Sequence, residues 1–136
     1  MLLSARILND VAGVNSFEYS EVAEFTEGDG ASVYFQLIDL TLDKPNEGFV
    51  PAGRRYVPAT GATLQCTVES IDDSKTIVRF ATAVYATDDR SIWRLDFLAS
   101  DKIRGTANIR LKLTEGGVVR NGLMKSALRI HSLTCL

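Results

Sequence analysis

Between Ala31 and Asp39 the side chains alternate: Ala31, Val33, Phe35 and Leu37 fall on one side of an extended chain, Ser32, Tyr34 and Gln36 on the other. Successive side chains of a strand point to opposite faces, so this stretch predicts a strand with one buried face and with Phe35 and Leu37 deep in a core. A helix is disfavoured, because Val33, Tyr34 and Phe35 are β-formers and no 3.6-residue period is present. The turn Gly28-Asp29-Gly30 leads into the strand: its glycines supply positive φ, and Asp29 can bond its own backbone.

The same reading extends along the chain. Over 61–71, Leu64, Cys66 and Val68 alternate with Thr63, Gln65, Thr67 and Glu69. The polar turn Asp72-Asp73-Ser74-Lys75 joins that run to a β-rich stretch over 76–86, which predicts a hairpin. After a second polar turn at Thr87-Asp88-Asp89-Arg90, Trp93, Leu95, Phe97 and Ala99 share one face, and Arg94 and Asp96 the other. The cleanest alternation is over 106–113, with Ala107, Ile109, Leu111 and Leu113 inward and Thr106, Asn108, Arg110 and Lys112 toward water. Glu115-Gly116-Gly117 is a turn signal before one or two closing strands, with Leu128 and Ile130 inward and Arg129 and His131 outward. Alternation over 17–25 is weaker, with Phe17, Tyr19 and Glu21 opposite Val22 and Glu24.

No capped amphipathic helical window stands out. Short strands with polar turns predict an all-β fold, an antiparallel immunoglobulin-like β-sandwich forming one domain over 17–136. Residues 1–16 precede it as an arm or edge strand. Leu2, Leu3, Ile7 and Leu8 make that segment apolar without clean alternation, and an arm of this kind could dock on a neighbouring molecule.

Residues 40–58 interrupt the pattern and hold Pro45, Pro51 and Pro58, all three prolines of the chain. Each removes a backbone donor and turns its predecessor away from helix. A long irregular connection is either a solvated link between strands or a contact loop. In the second reading Phe49, Val50 and Tyr56 are apolar anchors and Arg54 and Arg55 charged ones. With Leu2, Leu3 and Ile7 of the arm, these are the candidate partner-contact residues.

Composition narrows the choices. The 136 residues suit one domain with a core of ordinary size. A net charge of −2 argues against a general nucleic-acid binder, and no apolar run approaches the length needed to cross a bilayer. The start of the chain is too short and polar for a secretory signal. Cys66 reads as a small buried hydrophobe, and Cys135 lies at the chain end, so a reduced compartment is the simpler expectation. His131 is the only histidine and has no evident partner for catalysis. No paired metal-ligand spacing occurs, and Asp72-Asp73 and Asp88-Asp89 read as turn aspartates rather than calcium corners. Neither Gly-containing turn has the lysine and following helix of a phosphate loop. The expectation is a non-enzymatic protein with no cofactor and no metal. A carbohydrate- or ligand-binding module is the alternative, with Tyr34, Tyr56 and Tyr85 as a stacking surface.

The order of short motifs carries a resemblance. Gly28-Asp29 opens a strand ending at Asp39, and Gly61-Ala62-Thr63 opens the next. Ile103-Arg104-Gly105 then leads into Ile109-Arg110-Leu111-Lys112-Leu113, before a Gly-Gly turn and a closing strand. Over about 25–130 this resembles the immunoglobulin-like amino-terminal domains of tailed-phage baseplate upper proteins and similar small virion proteins of tail and neck. The segment over 41–58 is longer than such domains usually need, and no receptor-binding portion follows before Leu136. The resemblance implies a structural subunit of a phage particle in baseplate, neck or capsid surface. It would be assembled in the host cytoplasm, present in multiple copies or a homo-oligomeric ring, and bound to other phage structural proteins rather than to nucleic acid or membrane.

Overall fold

A computed structural model describes residues 1–8, 19–20, 22–42, 54–84 and 90–132. They form β1 (Leu3–Leu8), β2 (Tyr19–Ser20), β3 (Ala23–Thr26), β4 (Ala31–Asp39), β5 (Arg54–Arg55), β6 (Thr63–Ser70), β7 (Thr76–Ala83), β8 (Ile92–Phe97), β9 (Gly105–Glu115) and β10 (Val118–His131). A short 3₁₀ turn, Leu40–Leu42, follows β4.

The all-β class holds, but the strands do not separate into the two facing sheets of the expected immunoglobulin-like sandwich. The pairing order β1-β10-β9-β6-β7-β8-β4 returns to β1, which makes a closed barrel of seven strands. β1 closes it, antiparallel to β4 from Leu3↔Asp39 to Leu8↔Tyr34 and parallel to β10 at Leu3↔Gly122. Leu3–Leu8 is therefore a wall strand with neighbours on both sides, rather than an arm or edge strand. Alternation reports which face of a strand is buried. It carries no information about which strands meet, so closure was outside its reach.

Gly122 makes the β1–β10 junction possible. A Cβ there would fall on the Leu3 carbonyl oxygen, so only glycine lets the two backbones approach. Farther along, the β9–β10 register shifts between Met124 and Leu128. Ser126 sits there with φ of 51°, and its N–H donates to Asn108 Oδ1 at 2.7 Å. Asn108, expected to face water, holds this irregularity in place. Beyond it β10 leaves β1 and pairs in parallel with β3, from Leu128↔Ala23 to His131↔Thr26.

The interior is filled by side chains, as expected for so narrow a barrel. Phe35, Leu37, Leu64, Cys66, Val68, Trp93, Leu95, Ile109, Leu111, Leu113 and Leu128 are buried and meet in one core. Apolar residues face inward, the reverse of a lipid-facing barrel. Two departures from simple alternation stand out. Ala99, expected inward, is exposed beyond the end of β8. Gln36, Ile38 and Ile92, at outward register positions, are nevertheless buried.

Candidate partner-contact surface

One end of the barrel collects the start of the chain, the exit from the proline-rich segment and the β9–β10 hairpin. Asp39, the last residue of β4, organises the first of these. Its Oδ1 accepts from the Thr41 hydroxyl at 2.6 Å, the Thr41 N–H at 3.0 Å and the Leu2 N–H at 3.2 Å. Leu40 N–H donates to the Leu2 carbonyl at 2.9 Å. The Thr41 hydroxyl, outweighing burial, holds the Asp39 carboxyl below its ordinary value, with the two backbone donors adding to it.

β5 lies beside the same strand end, with Ile38↔Arg55 and Asp39↔Arg54. Tyr56 N–H then donates to the Leu37 carbonyl at 2.9 Å, and the Tyr56 ring packs against the barrel core. Its hydroxyl donates to Glu115 at the last position of β9. Glu115 also accepts from Ala59 N–H at 2.9 Å and from Arg120 Nε at 3.1 Å. Burial pushes the Glu115 carboxyl up, but the Tyr56, Ala59 and Arg120 donors together hold it below its ordinary value. Burial, with the Glu115 carboxylate beside it, raises the Tyr56 phenol. One carboxylate thus ties the segment leaving the proline-rich stretch to the hairpin.

Around this anchor the surface is apolar. Leu2 is 54% exposed, and Met1, Val57, Val118 and Val119 are each close to half exposed. Val118 and Val119 follow the Gly116-Gly117 turn, where both glycines have positive φ. Large apolar side chains gathered at one end, with Arg55 and Arg120 among them, have the character of a protein-contact surface.

The candidate contact residues divide accordingly. Leu2, Arg55 and Tyr56 come together at this end, and the Arg54 backbone lies there with them. Leu3 and Ile7 are consumed by the core at 2% and 3% exposure, which corrects their assignment as contacts of a free arm. Phe49 and Val50 lie outside the described residues. Sequence reasoning missed Val57, Val118, Val119, Glu115 and Arg120. Consecutive valines after a turn are one legible signal, because neighbouring strand residues cannot both face inward.

Elsewhere, a half-open groove of ≈ 540 Å³ runs between β1, β3 and β4, lined by Leu8, Val22, Glu24, Ser32 and Tyr34 among others. Tyr34 faces out from the middle of β4, whereas Tyr56 reaches the hairpin end, so these two do not share a stacking surface. Tyr85 lies outside the described residues. Asp73 is engaged locally, accepting from Lys75 N–H at 3.2 Å, whereas Asp72, expected to bond its own turn, accepts from Thr106 N–H of β9 at 2.8 Å. His131 is exposed, and its carbonyl accepts from Glu27 N–H at 2.8 Å. Among the described residues no group of three or more His, Cys, Asp or Glu is arranged to hold a metal ion.

The fold and this surface together define a small, filled all-β barrel with exposed apolar side chains at one end. No known protein family, no curated protein and no solved structure matches the chain.

Proposed function

We propose that this protein is a non-enzymatic structural subunit of a phage particle, in tail, baseplate, neck or capsid surface. It docks other virion proteins through the hairpin end of its barrel. The observation that carries the docking half is the apolar surface of Met1, Leu2, Val57, Val118 and Val119 around the Tyr56–Glu115–Arg120 anchor. The virion half rests on the resemblance in motif order. Repeated copies in a ring would multiply a modest contact at each surface.

Because β1 is a wall strand, deleting it would unfold the barrel and test nothing about docking. The informative variant is Val118→Asp with Val119→Asp, at positions already exposed. It should fold like the natural chain and be missing from purified particles, where the natural chain is found and cross-links through this end. Absence of the natural chain from particles, or normal incorporation of the variant, overturns the proposal.

The groove beside Tyr34 supports a second reading, a ligand- or carbohydrate-binding module, since it joins one aromatic ring to polar and apolar walls. A glycan screen with Tyr34→Ala as control tests it, and no binder in that screen counts against it.

A further inference from the structure

β7 and β8 are paired only at Thr82↔Arg94 and Ala83↔Trp93. Val84 N–H donates to the Ile92 carbonyl at 3.0 Å. Hydrogen-bonded pairs of an antiparallel ladder recur every second residue, so 84 with 92 and 82 with 94 predict 80 with 96 and 78 with 98 next. Those pairs do not form. The Asp96 carbonyl, which Phe80 N–H would reach, accepts from Arg79 Nη1 at 2.9 Å. Leu98 N–H, which Val78 would receive, donates to Asp101 Oδ2 at 2.6 Å. The Arg79 side chain thus crosses from β7 and, with Asp101, satisfies the β8 groups, while among the described residues no partner meets the Val78 and Phe80 backbone groups that face the seam.

The opposite edge of β7 gives the same phase. Ser70 N–H donates to the Lys75 carbonyl at 2.8 Å, so 77, 79 and 81 turn their backbone groups toward β6, while 76, 78 and 80 turn theirs to the open seam. On the outer face the row Thr76, Val78, Phe80 and Thr82 is exposed and uncharged, with Val78 at 56% and Phe80 at 61%. Strand edges of monomeric proteins are normally blunted by charge, proline or a bulge. This edge has none of them, because its single charge, Arg79, is turned into the ion pair with Asp101.

We infer that the open edge of β7 pairs antiparallel with β7 of a second copy of this chain, on a two-fold axis at Val78. The axis position follows from charge. Pairing must bring open-edge residues opposite one another, which allows a centre at Ile77, at Val78 or at Arg79, and a centre at Ile77 sets Arg79 against Lys75, two like charges. A centre at Arg79 sets two arginines directly opposite, which is destabilising. A centre at Val78 sets Val78 against Val78, Thr76 against Phe80, and Arg79 against Ile77. The outer rows then join into one apolar stripe across the dimer, with about six new ladder hydrogen bonds. An isologous contact requires a self-complementary patch, and an uncharged alternating strand is one.

The pairing is tested on the full chain by sedimentation equilibrium and by backbone amide exchange at varied concentration. The natural chain should dimerise, with Val78 and Phe80 amides protected only in the dimer. Phe80→Lys removes an exposed side chain, so it should melt with the natural chain while weakening dimerisation by about tenfold or more. Val78→Pro removes an N–H that points into the seam rather than toward β6, and should also weaken the dimer. A chain that stays monomeric at millimolar concentration, a dimer indifferent to both substitutions, or protection only when another protein's strand is supplied would each overturn the pairing.

Discussion

Arg79 grips Asp101 through both ends of its guanidinium, with Nη1–Oδ2 at 2.7 Å and Nη2–Oδ1 at 3.0 Å, and this pair spans the seam where β7 and β8 part. The arginine hydrogen bond, outweighing burial, holds the Asp101 carboxyl below its ordinary 3.8. Folding therefore favours the charged form. The contribution is present in full above the unfolded value and is lost as pH falls through the lower folded value.

Asp101→Asn should lower unfolding stability at pH 7 by about 1–2 kcal/mol, as expected for a partly exposed charged hydrogen-bonded pair. In urea titrations the gap between the variant and the natural chain should narrow below pH 4, where the natural carboxyl also becomes neutral. A gap independent of pH would show that the pair's charge contributes nothing to stability.

Gly122→Ala should be costly out of proportion to one methyl group, by about 3 kcal/mol, because the new carbon lands on the Leu3 carbonyl. Gly30→Ala is the control. Its added Cβ would come no closer than 3.9 Å to the Phe97 carbonyl oxygen, so it should cost under about 1 kcal/mol. Amide exchange in Leu3–Leu8 should accelerate in the Gly122 variant alone.

Glu27 is a carboxylate at 6% exposure, held by Arg104 through Nε at 3.0 Å and Nη2 at 3.2 Å. Arg104→Ala leaves that carboxylate buried without its partner. The loss should be about 2 kcal/mol, discounted from the value for a fully buried pair because Arg104 itself is partly exposed. Adding Glu27→Gln should recover part of it, since an amide costs less to bury than a charge. A double-mutant cycle without coupling would refute the pairing as a stabilising contact.

Burial pushes the Cys66 thiol up to about 12. Its thiolate is scarce at neutral pH, and the side chain is enclosed within the core. Labelling by a maleimide, read by peptide mass, should therefore follow global unfolding and accelerate steeply in urea. Rapid labelling of Cys66 in the native chain would mean that the core opens locally.

Alternation alone determined much of the interior. The inward assignments at Phe35, Leu37, Leu64, Cys66, Val68, Trp93, Ile109 and Leu113 are all buried in the structure. A period of two is a local property, visible wherever one face of a strand meets water and the other a core. The polar turns between these runs were legible for the same reason, because glycine and aspartate act on their own backbone. All-β character and the core rows thus belong to the sequence by itself.

Only the tertiary structure decided that the strands close into a ring, that Leu3 and Ile7 belong to its wall, and that the β7–β8 ladder is confined to Thr82↔Arg94 and Ala83↔Trp93. Each depends on partners far apart in the chain: the Leu3 backbone with that of Gly122, the Tyr56 hydroxyl with the Glu115 carboxylate, and the Arg79 guanidinium with the Asp96 carbonyl. Hydrogen-bonding groups are the same in every peptide unit, so their pairing leaves no trace in side-chain order except where a glycine admits close approach or a charge intercepts a ladder bond. The apolar hairpin end has the same origin. Met1, Leu2, Val57, Val118 and Val119 come to lie at one end only because barrel closure brings their strand ends together.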